Sequence, residues 1–137
     1  MDSSEHFRNG EPAVIVYAHG SAVEEANQGV RNLAQRIQNG GAYAYVRASF
    51  LGPGKPELPE AVAEAVGEGF HRIVVIPYFL TTGIHLRRDL PMLVAAERQK
   101  YPQLEIQVGR SLEDHPEIAS LVLSRIREVM EEARVSP

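Results

Sequence analysis

The sequence predicts an α/β fold: a doubly wound, parallel four-stranded sheet with helices on both faces. Three observations carry the prediction. Short apolar runs rich in β-branched residues alternate with segments whose apolar residues recur at helical spacing. The resulting order, β-α-β-α-β-α-β-α, forces neighbouring strands to run parallel through right-handed crossovers. The length, 137 residues, suits one domain with a core that needs no covalent staple.

Residues 1–11 are polar and read as a disordered tail, so the folded domain is expected over 12–134. Ala13-Val14-Ile15-Val16-Tyr17-Ala18 is apolar without alternation, the mark of a strand buried on both faces. His19-Gly20-Ser21 breaks it. Ala26, Val30, Leu33, Ala34 and Ile37 then mark a helix that ends at Gly40-Gly41. Tyr43 to Ser49 is the second strand, and Gly52-Pro53-Gly54-Lys55-Pro56 is a loop. Leu58, Val62, Ala65 and Val66 mark the second helix, closing near Gly69. Ile73 to Pro77 is the clearest strand of all. A loop over 78–86 leads to a third helix that begins with Leu90, Leu93 and Val94 and stops before Pro102. Leu104 to Val108 is the fourth strand. Ile118, Leu121, Val122, Ile126, Val129 and Met130 share one face of a last helix that runs to about Ala133.

Composition excludes several functions. The chain has no cysteine, so thiolate metal sites, disulfides and cysteine nucleophiles are out. A net charge of -4 argues against a sequence-independent nucleic-acid binder. No apolar run approaches the ~20 residues of a membrane span, and nothing resembles a signal peptide. A cytoplasmic protein is expected. The phosphate-binding pattern G-x-x-x-x-G-K-[ST] is missing, so no nucleotide is expected.

Open parallel sheets bind ligands outside the carboxyl ends of their strands, where strand order reverses. That rule sorts the five histidines. His19 follows the first strand. His85 follows the third, in the loop just before the third helix. His115 follows the fourth. His71 lies at the opposite edge, and His6 is in the tail. Imidazole binds late divalent metals and exchanges protons near neutral pH, so His19 and His85 are the candidate metal and acid/base pair. The plainer reading is two loop histidines satisfied by backbone groups. Ser21 is a candidate nucleophile or ligand contact, although Ser21-Ala22-Val23-Glu24 fits a helix capping box. Asp114-His115-Pro116-Glu117 reads as a helix start with Asp114 as the cap. Arg87 and Arg88 form a small basic patch, unfavourable at a helix start unless it meets an acidic ligand.

Several of these stretches together resemble a known family. Tyr17-Ala18-His19-Gly20-Ser21 with Asn27 is similar to the opening strand and loop of the short sirohydrochlorin chelatases of the CbiX type. Phe50-Leu51 with Pro56 and Leu58-Pro59-Glu60-Ala61 resembles their second strand and helix. Ile76-Pro77-Tyr78-Phe79-Leu80 with Gly83, His85, Asp89, Leu90 and Pro91 resembles their most distinctive stretch, and His115-Pro116 also fits. The likeness runs from about 13 to 127.

The resemblance implies a chelatase-like single half-unit that pairs as a homodimer. It implies ATP-independent insertion of Co²⁺, or Ni²⁺ or Fe²⁺, into sirohydrochlorin or a related acidic tetrapyrrole, as in cobalamin or siroheme biosynthesis. His19 and His85 are then the catalytic, metal-contacting residues. Ser21, Arg47, Lys55, Arg87 and Arg88 are candidate substrate contacts, the cations through charge pairing with carboxylates. The chain departs from the family at Gly52, where many members carry a glutamate, and at Ala22-Val23, where many carry Arg and Asp. Three readings follow. One is a chelatase using the two histidines, with water or Glu24, Glu25 or Glu57 in place of the absent carboxylate. The second is a non-catalytic metal or tetrapyrrole carrier on the same fold. The third is an unrelated α/β protein with structural histidines.

Overall fold

A computed structural model describes residues 10–135; the side chains of His85, Arg134 and Val135 lie outside the described set. The tail expected over 1–11 therefore falls, but for its last two residues, outside the described residues. The elements are β1 (Ala13–Ala18), α1 (Glu24–Asn39), β2 (Val46–Phe50), α2 (Leu58–Gly67), β3 (Arg72–Pro77), α3 (Ile84–Lys100), β4 (Glu105–Val108) and α4 (Glu117–Val135). The strands form one parallel sheet in the order β2-β1-β3-β4. β1 is central, which explains its unbroken apolar run: all six of its residues are buried.

The sheet has two unequal faces. Ile15 and Tyr17 of β1 and Ile73 and Val75 of β3 point to one side. There they meet Leu58, Val62 and Ala65 of α2 and Leu86, Leu90 and Val94 of α3 in the main core. Each fully buried aliphatic side chain of this kind contributes roughly 1.5–3 kcal/mol. Val14, Val16 and Ala18 point to the other side and meet Val46, Ala48 and Phe50 of β2 beneath Ala34 of α1. On that side Val74 and Ile76 of β3 are only half-buried.

Four local expectations are corrected. β2 begins at Val46 rather than Tyr43; residues 43–45 carry the chain back from α1, and the Val14 N–H already donates to the Tyr45 carbonyl at 2.9 Å. The Ser21–Glu24 capping box does not form. Val23 is the N-cap of α1, and the Ser21 hydroxyl instead accepts the Val23 N–H at 3.0 Å, closing a local turn. α3 begins at Ile84, so His85 lies in its first turn and not in the preceding loop. Pro91 sits inside this helix, where its missing N–H frees the Arg87 carbonyl. A start near Leu90 would have placed that proline in the first turn, where it is better tolerated. Finally, Asp114 does not cap α4; it takes a φ of 62°, and His115 Nδ1 accepts the Glu117 N–H at 3.1 Å.

The last helix holds the largest difference. Its apolar stripe was expected to pack on the sheet. Instead every residue from Ala119 to Ala133 is exposed, and α4 makes no extensive contact with another described element.

Candidate active site

Strand order reverses between β1 and β3: the chain steps outward from β1 to β2, then returns to the far side of β1. The loops after β1 and β3 part at their carboxyl ends and leave a crevice there. His19 is the first residue past β1, and His85 lies in the first turn of the helix that follows β3. The backbone thus puts the two expected site residues on either side of one switch point.

Each loop around His19 is tied down. The Tyr78 N–H donates to the Tyr17 carbonyl at 2.7 Å, the Leu51 N–H to Ala18 at 2.9 Å, and the Gly52 N–H to the His19 carbonyl at 3.1 Å. Asn27, fully buried in α1, clamps the loop that follows. Its Oδ1 accepts the Ser21 N–H at 2.9 Å, and its Nδ2 donates to the Ser21 carbonyl at 2.8 Å. Gly20 holds a φ of +90°, and a Cβ there would stand 2.1 Å from the Pro53 carbonyl oxygen. Only glycine lets the loops after β1 and β2 come this close. The His19 ring is exposed and meets Phe79 edge-on, with centroids 6.2 Å apart. Phe79 in turn contacts Tyr17 and accepts, through its carbonyl, the Leu112 N–H at 3.1 Å.

A cavity of about 510 Å³ opens between α2 and α3 at this edge, lined among others by Tyr17, Leu51, Glu57, Asp89 and Leu93. Burial pushes the Tyr17 hydroxyl up to about 12, and the negative charges of Glu57 and Asp89 add to the effect. Two carboxylates therefore stand at the cavity, each beside a cation of the chain, Glu57 by Lys55 and Asp89 by Arg88. Asp89 falls one turn after His85 on α3, so the two backbone positions share a helix face. Neither Asp89 nor Tyr17 was given a role from sequence; the i, i+4 spacing of His85 and Asp89 was the available signal. Glu57 forms a capping box with Glu60 at the start of α2. Among the described residues no three His, Asp or Glu side chains gather closely enough to hold a metal ion.

The remaining expected contacts scatter. Ser21 lies on the carboxyl edge, beside His19. Lys55 is there too, its Nζ 2.7 Å from Glu57 and 3.3 Å from Glu60; bonds to these carboxylates raise its pKa. Arg87 and Arg88 are exposed near the start of α3. Arg87 Nε donates to the Thr82 hydroxyl at 3.2 Å, and Arg88 Nε lies 3.4 Å from Asp89. Arg47 is not brought to this edge. It sits near the start of β2 opposite Ile15, donates to Gln38 Oε1 at 2.6 Å, and lies 4.1 Å over the Tyr45 ring. Gly52, at a φ of +124°, faces open space.

A sequence model of the CbiX family matches residues 13–129. The chain belongs to the CbiX family. A relative from Methanopyrus kandleri named sirohydrochlorin cobaltochelatase is 30% identical, over 88% of this chain and 98% of its own. One from Methanosarcina acetivorans with the same name is 27% identical over 85% of this chain and 95% of its own. Among solved structures, a CbiX protein from Marinobacter aquaeolei has a TM-score of 0.78 at 22% identity, covering 88% of this chain and 98% of that one. The sirohydrochlorin chelatase SirB from Bacillus subtilis, solved in complex with cobalt, has a TM-score of 0.79 at 24% identity, and the match covers 87% of this chain but 51% of SirB. These two structural likenesses establish the doubly wound fold. This CbiX-family chain thus corresponds to about half of the longer protein. No helix among the described residues is long and apolar enough to cross a membrane.

Proposed function

We propose that this protein is a metallochelatase that inserts a divalent metal, Co²⁺ first among the candidates, into sirohydrochlorin or a related acidic tetrapyrrole, without a nucleotide and in the cytoplasm. The observation that carries this reading is the flanking of one sheet-edge crevice by His19 and the His85 turn, beside a cavity with two carboxylates, in a chain that matches the CbiX family over nearly its whole length. Insertion requires a partly dehydrated cation and the removal of two pyrrole protons. Imidazole can hold a late transition metal while leaving positions open to incoming nitrogens, and it can take a proton near neutral pH. His19 and His85 share these roles. Glu57 and Asp89 supply the carboxylates at the crevice that a glutamate at position 52 would have joined. Ser21, Lys55, Arg87 and Arg88 rim the same edge and pair with substrate carboxylates. Two copies act together. A chain that spans nearly all of its short relatives but about half of SirB supports pairing, because two half-units then replace one two-lobed chain.

The test is anaerobic spectroscopy of sirohydrochlorin in excess over protein, with Co²⁺ and then Ni²⁺ and Fe²⁺ added. Metal-dependent acceleration through several turnovers, lost in His19→Ala and His85→Ala, is the expected outcome. Stoichiometric metal binding with a rate equal to the protein-free control would overturn it and favour the carrier reading, to which Gly52 lends specific support.

A further inference from the structure

The third helix separates two cavities. Tyr17, Glu57 and Asp89 belong to the one between α2 and α3. The other, of about 410 Å³, lies between the opposite face of α3 and the end of β4. Helical periodicity sets Arg87, Pro91, Val94 and Arg98 along this second face, while Asp89, Leu93 and Ala96 border the first cavity. The second cavity adjoins the candidate metal site. Pro77, which ends β3, and Arg87, two positions after His85, both line it.

Its ends are polar and its walls are not. Thr82, Arg87 and Ser111 stand at the carboxyl edge. Leu86, Leu90, Val94 and Val108 form the walls. Arg98 comes about three turns further along α3, where its Nη2 donates to the Ile106 carbonyl at 2.6 Å. The cavity is therefore a short apolar passage with a guanidinium at either end.

These arginines differ from the other cations of the chain. Arg31, Arg72, Arg88 and Arg125 each lie beside a carboxylate. Among the described residues neither Arg87 nor Arg98 has an ion pair, and neither has Arg110, which falls between the lining residues Gly109 and Ser111. Arg87 Nε donates to the Thr82 hydroxyl at 3.2 Å, and that hydroxyl donates to Glu113 Oε2 at 2.7 Å. Arg87 is thus held at the mouth with its Nη groups left over. No Asp or Glu lines the cavity among the described residues. A planar guanidinium with spare N–H groups, set at the end of an apolar passage, is suited to a carboxylate.

We propose that this cavity receives an aliphatic arm tipped with a carboxylate, reaching in from the periphery of the macrocycle held at the His19–His85 crevice. The carboxylate chemistry follows from the cavity; the macrocycle as its source rests on the chelatase reading. The methylenes of the arm lie against Leu86, Leu90 and Val94, and its carboxylate meets Arg98, with Arg87 at the mouth. A ring held by one arm keeps a fixed orientation over the metal. A tetrapyrrole without a carboxylate at that place leaves the guanidinium unpaired and is disfavoured. Arg98 is then a specificity-determining residue of the site.

The test is equilibrium binding of metal-free sirohydrochlorin, followed by absorbance, so that no step of metal insertion enters. Arg98→Gln should raise Kd about tenfold or more, and Arg98→Lys should recover part of the loss. Val108→Glu changes a wall position that is 41% exposed, leaves Arg98 in place, and should weaken binding as well by setting a second carboxylate in the passage. Arg36→Gln, in the last turn of α1, should stay within about twofold of the parent. Free glutarate, a dicarboxylate with an aliphatic linker, should compete with sirohydrochlorin in the parent and not in Arg98→Gln. Equal binding by the parent, Arg98→Gln and Val108→Glu would overturn the proposal and leave the chelatase reading intact. A loss in Arg98→Gln that Arg98→Lys shares in full, with Val108→Glu unaffected, would mark a structural role and also overturn it. Calorimetry with glutarate alone separates the two sources of the carboxylate. Arg98-dependent uptake of glutarate by a parent that does not bind sirohydrochlorin would keep the carboxylate site and overturn the chelatase reading. Binding of neither ligand would overturn both.

Discussion

A methyl group at Gly20 would meet the Pro53 carbonyl oxygen at 2.1 Å, in a residue whose φ is +90°. A methyl group at Gly52 would meet nothing, although its φ is +124°. The two glycines therefore separate two costs. Gly52→Ala incurs backbone strain alone, about 1 kcal/mol, whereas Gly20→Ala adds a backbone clash and is expected to cost about 3 kcal/mol, lowering the midpoint of thermal unfolding by roughly 10 °C. Calorimetry checks the order. Gly20→Ala should also slow metal insertion at least tenfold, because the displaced loop carries His19, while Gly52→Ala stays within about twofold of the parent. Equal effects at the two positions would show that the close approach to Pro53 is not a constraint. Tyr17 gives a second test at this scale. Its hydroxyl is raised to about 12 in the folded chain, from an ordinary value of 10.0. Its contribution is therefore complete below about pH 10 and lost as pH rises toward 12, because the unfolded chain ionises first. Stability should fall over that window by an amount on the order of 2 kcal/mol, and Tyr17→Phe should flatten the slope in denaturant titrations.

The two inner strands were the most legible because both are continuous apolar runs. β1 is buried on both faces and reads as an unbroken apolar run, whereas β3 is an equally apolar run with only alternate residues buried. The helices were legible in existence and less so at their ends, because caps depend on three-dimensional partners. Ser21 and Glu24 have the right spacing for a capping box, yet the buried Asn27 captures both backbone groups of Ser21 and fixes the loop in a different turn. The apolar spacing that began at Ala26 thus missed the polar residue that points inward: Ala26 is exposed and Asn27 is buried. Asn27→Ala should remove three hydrogen bonds, two to the Ser21 backbone and one to Glu24 Oε2, and cost about 2–3 kcal/mol. Since the clamp holds the residues after His19, its loss should also slow metal insertion more than it weakens the fold at working temperature. Comparing unfolding midpoints with insertion rates for Asn27→Ala and Asn27→Asp checks this. Asn27→Asp keeps the acceptor for the Ser21 N–H and should retain the greater part of the rate.

At the scale of the whole molecule, the place of the candidate site was legible because sheet topology fixes which edge the loops after β1 and β3 share. His19 and His85 are 66 positions apart in sequence, and only the return of the chain across β1 sets them on one crevice. Asp89 was noted only as part of the family stretch and given no role, because its place beside the cavity between α2 and α3 is not revealed by any local pattern. What covers α4 is not legible for a deeper reason. An amphipathic stripe says that a helix must be covered, but it does not say by which copy of the chain. The pairing proposed above would make that distinction thermodynamic. If α4 is buried only in the dimer, unfolding is coupled to dissociation and stability depends on concentration. Each tenfold dilution then removes about 1.4 kcal/mol per dimer. With the usual unfolding entropy per residue, that lowers the midpoint by about 2 °C per tenfold. Scanning calorimetry over two decades of concentration should show this drift in the parent chain. Val122→Glu/Ile126→Glu should show a lower midpoint that does not move with dilution. A parent midpoint independent of concentration would mean that each chain completes its own core.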